Sequence, residues 1–575
     1  MKFRYLIIAI GFFCTISCSD FLDKQASEDI TEMDAYKDLA NARKVLNNLY
    51  YESTTALYNP VSRRFGYDLA TDDGVQGYAP LWSKSYNQGT ITADDNPNGD
   101  DRDEGTPPST NFWNNSYKKI RKANIFINKI NSVPGDEKIK RRYLAEARFL
   151  RAFFYAHLIR NYGGVVKLDY VLEDYQEALN MSRITFKESV DWVVQELNEI
   201  APDIPTSNEI LSTEFGRVTR GGVYALKARL LLYAASPLFN TSTPVMPEYT
   251  DIQYYGNYDK ERWLAAANAA QQVIDQGYAL YRGVPNENGQ YPTNYTELFM
   301  SIFWTVNSEY VWGFYPKQDN GFVDASHNRS CGGWNWTNPT LELAESFEML
   351  NGKLPNELES GYEFNNPGKD RDPRFKASIQ YPNAEYKTYS FKPWIGGSAS
   401  HLESQRTGMC RQKWIDGSTY PGDPNNPNSG FIYPYVPYFR FAEILLIHAE
   451  ALNEYYNSPN DAVYNDINLI RRRVGMPDLP KGLTQAQMRE RIMRERRVEL
   501  AFEDHRFFDL RRWGTAYDKL NGAVHGYDVT KGQNDGFYNK VQIGDKRVFM
   551  KKHYLSPIST FDLLLNSNLQ QNPGY

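Results

Sequence analysis

Glu146-Ala147-Arg148-Phe149-Leu150-Arg151-Ala152-Phe153-Phe154-Tyr155-Ala156-His157-Leu158, closed by Tyr162-Gly163-Gly164, carries the reading of the fold. Ala147, Leu150, Phe154 and Leu158 recur at the three- and four-residue intervals that line one face of an α-helix, and the glycine pair stops it. The same period runs through Ile120, Ala123, Ile127 and Ile130, through Val190, Val193, Val194, Leu197 and Ile200, and through Val223, Leu226, Leu230 and Tyr233. It returns in Trp263, Ala266, Ala267, Ala270 and Ile274, and again in Ala442, Leu445, Leu446, Ala449 and Leu452. Stops at Ser236-Pro237, Gln276-Gly277 and Gly475-Met476-Pro477 punctuate the series. Ala147-Arg148-Phe149-Leu150 is echoed by Ala228-Arg229-Leu230-Leu231, where small Ala side chains let a neighbouring helix approach and the Arg stem is expected to cover apolar surface. These are diverged helical hairpins of loosely tetratricopeptide type, whose period of about 34 residues is broken by insertions. The expected fold class is mostly α, with tetratricopeptide-like hairpins and a loop-rich irregular face.

That face falls between about 278 and 438, where Gly, Pro, Asn, Tyr and Trp replace the helical period. One helical stretch, Leu341 to Leu350, interrupts it, and Tyr310-Val311-Trp312-Gly313-Phe314 reads as a short strand. Asp416 to Gly430 reads as a surface loop. Within this region Cys331-Gly332-Gly333-Trp334-Asn335-Trp336 stands out, because no apolar periodicity claims its rings for a core. A sugar offers a face of C–H groups that packs on an aromatic ring and equatorial hydroxyls that need polar partners. Trp334 and Trp336, with Asn335 between them and Arg329 nearby, offer both kinds of contact. The alternative is a tryptophan pair that closes the loop on itself.

Composition narrows the classes further. A chain of 575 residues, 41% hydrophobic and 23% charged, is an ordinary globular protein rather than an integral membrane or disordered one. Its net charge of −6, with no long basic stretch, argues against a nucleic-acid partner. The 42 Tyr outnumber the 30 Phe, which suits either a wet recognition surface or a Tyr-rich core. Lys2 and Arg4 before the apolar run Tyr5 to Ile16 read as a signal peptide over residues 1–17, too short to span a bilayer. The following Thr15-Ile16-Ser17-Cys18 resembles a bacterial lipobox with Cys18 as the lipidated residue, although Thr15 stands where Leu is usual. The alternative is a cleaved signal and a free periplasmic protein. Cys331 and Cys410 remain, and their pairing is left open. No spacing among the seven His suggests zinc. Asp94-Asp95-Asn96-Pro97-Asn98-Gly99-Asp100 imitates a calcium loop but lacks the closing Glu in place, with Gly105 there instead, and is read as a solvated acidic loop. No metal and no cofactor is expected.

Cys18-Ser19-Asp20-Phe21-Leu22-Asp23 is followed by Phe112-Trp113-Asn114-Asn115-Ser116-Tyr117 and by Glu146-Ala147-Arg148 through Tyr162-Gly163-Gly164. Next in order come Asn338-Pro339-Thr340-Leu341-Glu342-Leu343 with Asn351-Gly352-Lys353, Arg440-Phe441-Ala442-Glu443, the stretch from Glu495 to Trp513, and the close at Gln571-Asn572-Pro573-Gly574-Tyr575. With these motifs in this order the chain resembles, nearly end to end, the SusD/RagB family, the lipid-anchored nutrient-binding proteins of the Bacteroidetes outer membrane. Three regions follow: a signal peptide over 1–17, an N-terminal helical region over 18–277 and a C-terminal region over 278–575 that carries the ligand face. The resemblance implies a non-enzymatic protein that captures oligosaccharide, or in some branches peptide, and hands it to a SusC-like TonB-dependent transporter in the outer membrane. It also implies an arc of aromatics drawn from an early loop, here Trp82, and from the loop before the central helix, here Trp334 and Trp336. Asn335, Arg329 and Asp73 are the candidate polar contacts, Asp73 from the turn Asp72-Asp73-Gly74. The Arg/Glu cluster from Arg494 to Arg512 invites a glycoside-hydrolase reading with paired carboxylates. Glu495 and Glu499 lie one helical turn apart, however, where arginines of the same helix pair with them, so the cluster is read as structural.

Overall fold

The computed structural model describes residues 32–56, 67–77, 83–95, 112–314, 333, 335–386, 389–402, 404–414 and 435–575. The signal peptide, Cys18, the loop at 416–430, Cys331 and most of the calcium-like loop lie outside them. The long helices are α1 (Leu39–Ala56), α2 (Phe112–Ile130), α3 (Glu137–Tyr162), α4 (Phe186–Ile200), α5 (Arg220–Ala235), α6 (Glu261–Ile274), α7 (Phe441–Tyr455), α8 (Asp461–Arg473) and α9 (Gln485–Glu499). A shorter α10 (His505–Arg512) and α11 (Thr560–Leu565) follow. Neighbours pack as hairpins: α2 on α3, α3 on α4, α5 on α6, α7 on α8, and α6 crosses to α7.

Local chemistry sets the ends. Asp136 caps α3 by accepting from the backbone N–H groups of Lys138 and Ile139, and Thr185 with Glu188 forms a reciprocal capping box on α4. α3 stops at Gly163, whose φ of 86° suits glycine. Side chains at Gly163 and Gly164 would also run into the carbonyls of Ile252 and Ile184, at 2.6 and 2.1 Å. One hydrophobic cluster runs from Ala42 to Ile558 and includes Trp263 and Phe299, so the core is continuous across position 277. Tyr155, Tyr162, Tyr438 and Tyr527 are fully buried within the protein, so part of the tyrosine excess builds the interior. Among the described residues no helix is long and apolar enough to cross a membrane.

Three sequence expectations change. Leu341 to Leu350 is one helical turn, Leu341–Ala344, because the Ser346 hydroxyl and backbone N–H both donate to the Leu343 carbonyl and divert the chain. Arg229 rests on an aromatic face, its guanidinium 4.1 Å from the Phe439 ring centre, but it is also buried and paired, with its Nε 2.8 Å from Glu443 Oε1 on α7 and Nη2 on the Tyr438 carbonyl. The cluster on α9 is structural, as read, but its partners come from other elements. Glu499 accepts from Arg374, from Arg440 at the end of the strand Val436–Arg440, and from Arg473 of α8. Burial alone would raise the Glu499 carboxyl, yet Arg473, Arg440 and Arg374 together hold it well below the ordinary range.

Candidate functional site

The strands that matter here are β1 (Gly74–Gln76), β2 (Tyr310–Phe314), β3 (Thr337–Pro339) and β4 (Val436–Arg440). β2 pairs antiparallel with β4 inside the core, and β1 pairs antiparallel with β3, with Gly74 opposite Pro339 and Gln76 opposite Thr337. The β1–β3 ladder extends one residue further, because the Gly77 N–H donates to the Trp336 carbonyl at 2.9 Å. Two loops more than 250 positions apart in sequence are thereby joined at their bases. Trp82 lies five positions beyond Gly77 and Trp334 two before Trp336. Trp82, Trp334 and Arg329 lie outside the described residues, whereas Trp336 is half-buried at the end of the ladder.

A third loop completes the base. The Asn338 side chain donates from Nδ2 to the carbonyls of Asn335 and Ser404, and accepts on Oδ1 from the Arg406 backbone N–H at 2.7 Å. Arg406 also donates from Nε to the Gly77 carbonyl at 3.1 Å while its side chain stays exposed beside the ladder. Thr340 caps the helical turn that follows and ties back to the early loop, its Oγ1 donating to the Asp72 carbonyl at 2.5 Å.

Asn335 and Asp73 must be corrected as ligand contacts, since each is only 1% exposed. Asn335 sits at a φ of 51°, where Asn is better tolerated than most residues, and its Nδ2 donates to Ser404 O and Gln405 Oε1. Asp73 accepts from Arg497 Nε of α9 at 2.7 Å, and Asp72 accepts a two-pronged contact from Arg506 of α10 at 2.9 and 2.8 Å. Both are therefore anchors that clamp the early loop onto the C-terminal helices. Burial pushes both carboxyls up. At Asp72 the two arginines overcome it and hold the group well below its ordinary range, while Asp73 stays raised beside the Asp72 charge.

Arg406 was not legible as part of this site. Its contact to Gly77 spans 329 positions, and no local spacing in Ser404-Gln405-Arg406-Thr407 announces it.

Beneath the early loop two further carboxyls, Asp68 and Asp504, are buried against one another. Burial is the main cause that raises both, Asp504 to about 7. An acid whose folded pKa is raised stabilises the fold below its unfolded value, near 3.8, and that contribution is lost as pH rises through the folded value. The contribution of this pair is therefore expected to be lost between about pH 4 and pH 7, and urea melts of Asp504→Asn should lose less stability over that range than those of wild type. Equal losses in the two proteins would remove this pair as the cause.

Residues 297–575 match the model of the SusD family, and residues 20–232 match a model described as starch-binding, associating with the outer membrane. The chain is similar to SusD-like protein P2 of Formosa agariphila, 25% identical over 480 residues that cover 81% of this chain and 80% of that protein. In structure it is similar to a SusD-like protein of Bacteroides fragilis, with a TM-score of 0.76 and 26% identity over 94% of this chain and 98% of the other. It is also similar to a SusD-like carbohydrate-binding protein of the same species, with a TM-score of 0.73 and 25% identity over 93% and 99% of the two chains.

Proposed function

The chain belongs to the SusD/RagB family, and from that premise we propose that it is a glycan receptor. In this reading Cys18 carries the lipid that holds it at the outer surface of the outer membrane. It captures oligosaccharide there and delivers it to a SusC-like TonB-dependent transporter. Trp82, Trp334 and Trp336 are the stacking platforms, and Arg329 and Arg406 the polar contacts. A carbohydrate-binding relative among the similar structures supports the ligand class. The observation that carries the site is the β1–β3 ladder with its Gly77–Trp336 hydrogen bond, which brings the bases of the two tryptophan-bearing loops together.

The chemistry of the carboxylates favours a receptor over a hydrolase. Asp72, Asp73, Glu495, Glu499 and Glu503 are buried and each accepts from arginine or lysine. A glycosidase needs two carboxyl groups open to a cleft on either side of the scissile bond.

Calorimetric titration of the mature chain from Ser19 against plant, host and microbial oligosaccharides is the direct test. Heat with one glycan class is expected, with affinity reduced about tenfold or more per ring in Trp334→Ala and Trp336→Ala, or ~1.4 kcal/mol each. Silence across the panel would sink the proposal. Binding confined to a peptide pool would move the chain to peptide capture, and product release during incubation would move it to a hydrolase.

A further inference from the structure

The segment after α6, from Tyr278 to Leu298, walls a second open cleft, which shares no lining residue with the β1–β3 ladder. Its volume is about 460 Å³, within the range of small-ligand pockets. Tyrosine rings from Tyr278, Tyr291 and Tyr295 face it, together with Arg282, Arg472 and Arg473, and no Asp or Glu is among the described residues that line it. In a protein of net charge −6 this is a locally cationic, aromatic surface.

The walls are fixed by the fold. Asn286 and Gln290 close the turn between the two arms, with the Asn286 N–H donating to the Gln290 carbonyl at 2.9 Å. Gly283, at a φ of 80°, lets the arms close, since a side chain there would come within 2.8 Å of Pro292. Across this turn the Arg282 guanidinium lies 4.7 Å from the Tyr291 ring centre. Tyr295 is backed by Gly475, where a Cβ would meet its ring at 2.4 Å.

The three arginines differ in what they have left to offer. Arg472 is paired with Asp478, and Arg473 with Glu309 and Glu499, although the Arg473 Nε is buried without a hydrogen-bond partner. Arg282 is exposed and makes no ion pair or hydrogen bond among the described residues. A guanidinium resting on a ring keeps its edge donors outward, and that planar fork matches the oxygens of a carboxylate or sulfate. The tyrosine faces beside it suit the C–H face of a sugar ring.

We infer that the Arg282–Tyr291 cleft is a second saccharide subsite, which takes a sugar residue bearing a carboxylate or sulfate group. The inference rests on the proposed glycan-receptor function and adds to it the charge class of one subsite. The test titrates the mature chain from Ser19 with oligogalacturonate, a sulfated oligosaccharide and the neutral oligosaccharides of the panel above. Wild type, Arg282→Gln, Tyr291→Ala and Trp336→Ala are compared, with thermal melts to show that each is folded. At least one anionic oligosaccharide is expected to bind, and the uronate and sulfate arms identify which group the fork takes. Its affinity is expected to fall tenfold or more in Arg282→Gln and Tyr291→Ala, with neutral-glycan binding unchanged in both. Anionic binding that survives Arg282→Gln, or that is lost only in Trp336→Ala, would overturn the subsite. If neutral glycans bind and neither anionic class does, the subsite alone falls; if nothing binds wild type, the receptor function falls with it.

Discussion

Glu499→Ala is expected to remove about 3–5 kcal/mol of folding stability, a large part of the roughly 5–15 kcal/mol that holds a typical domain. The residue is fully buried at the end of α9. Its Oε1 accepts from Arg440 at 2.7 Å and from Arg473 at 2.5 Å, and its Oε2 from Arg374 at 3.0 Å. Truncation leaves three guanidinium groups in the interior short of a counter-charge, and water cannot reach them to compensate. The loss reads out as a lower urea midpoint at neutral pH, and a midpoint within error of wild type would refute the argument. A second readout follows from the sign of the pKa shift. Because the folded carboxyl lies below its unfolded value, its contribution is present above about pH 4.5 and disappears as pH falls through the folded value. Wild type and variant should therefore converge in stability at low pH.

Gly77→Ala is expected to abolish glycan capture and to cost about 1–3 kcal/mol or more through overpacking. The added Cβ would stand 1.9 Å from the Asn335 carbonyl oxygen and 2.5 Å from both Asn338 Nδ2 and Ser404 O. Two of these are backbone atoms, so no rotamer change relieves the clash and the three loops must separate. The Gly77–Trp336 hydrogen bond then breaks, and the tryptophan loops lose their common base. Titration with the glycan that binds wild type, alongside a thermal melt, distinguishes a lost platform from a lost fold. Unchanged affinity in a folded variant would show that the ladder does not organise the site. Gly74→Ala is a milder comparison, since its Cβ would meet the Leu69 side chain at 3.3 Å.

The helices were legible because each carries its own period and its own stops. Ala147, Leu150, Phe154 and Leu158 are all buried on α3, and Gly163 ends the helix where the glycine pair says it should. The loop at Trp334 and Trp336 was legible as a non-periodic, aromatic-rich segment, the early loop at Trp82 only through the family resemblance, and the β1–β3 ladder joins the bases of the two. What sequence could not supply was which polar side chains remain available. Asp73 and Asn335 look like surface residues beside Gly and Trp, but partners at Arg497 and Gln405 take them inward. Arg406, by contrast, is left outward by contacts that exist only once three distant loops meet. The same blindness applied to the helix interiors, where the Arg229–Glu443 pair spans 214 positions and so leaves no trace in local spacing.

The clamp between Asp73 and Arg497 joins positions 424 residues apart, and that between Asp72 and Arg506 spans 434. Closing so long a segment is entropically slow, and contacts of this separation form late in folding. A chain emerging from its N-terminus has its early loop in place long before the arginines that hold it have been made. The early loop is thus fully clamped only once the C-terminal helices are complete, and a chain cut short before α9 would lack the arginines that hold Asp72 and Asp73.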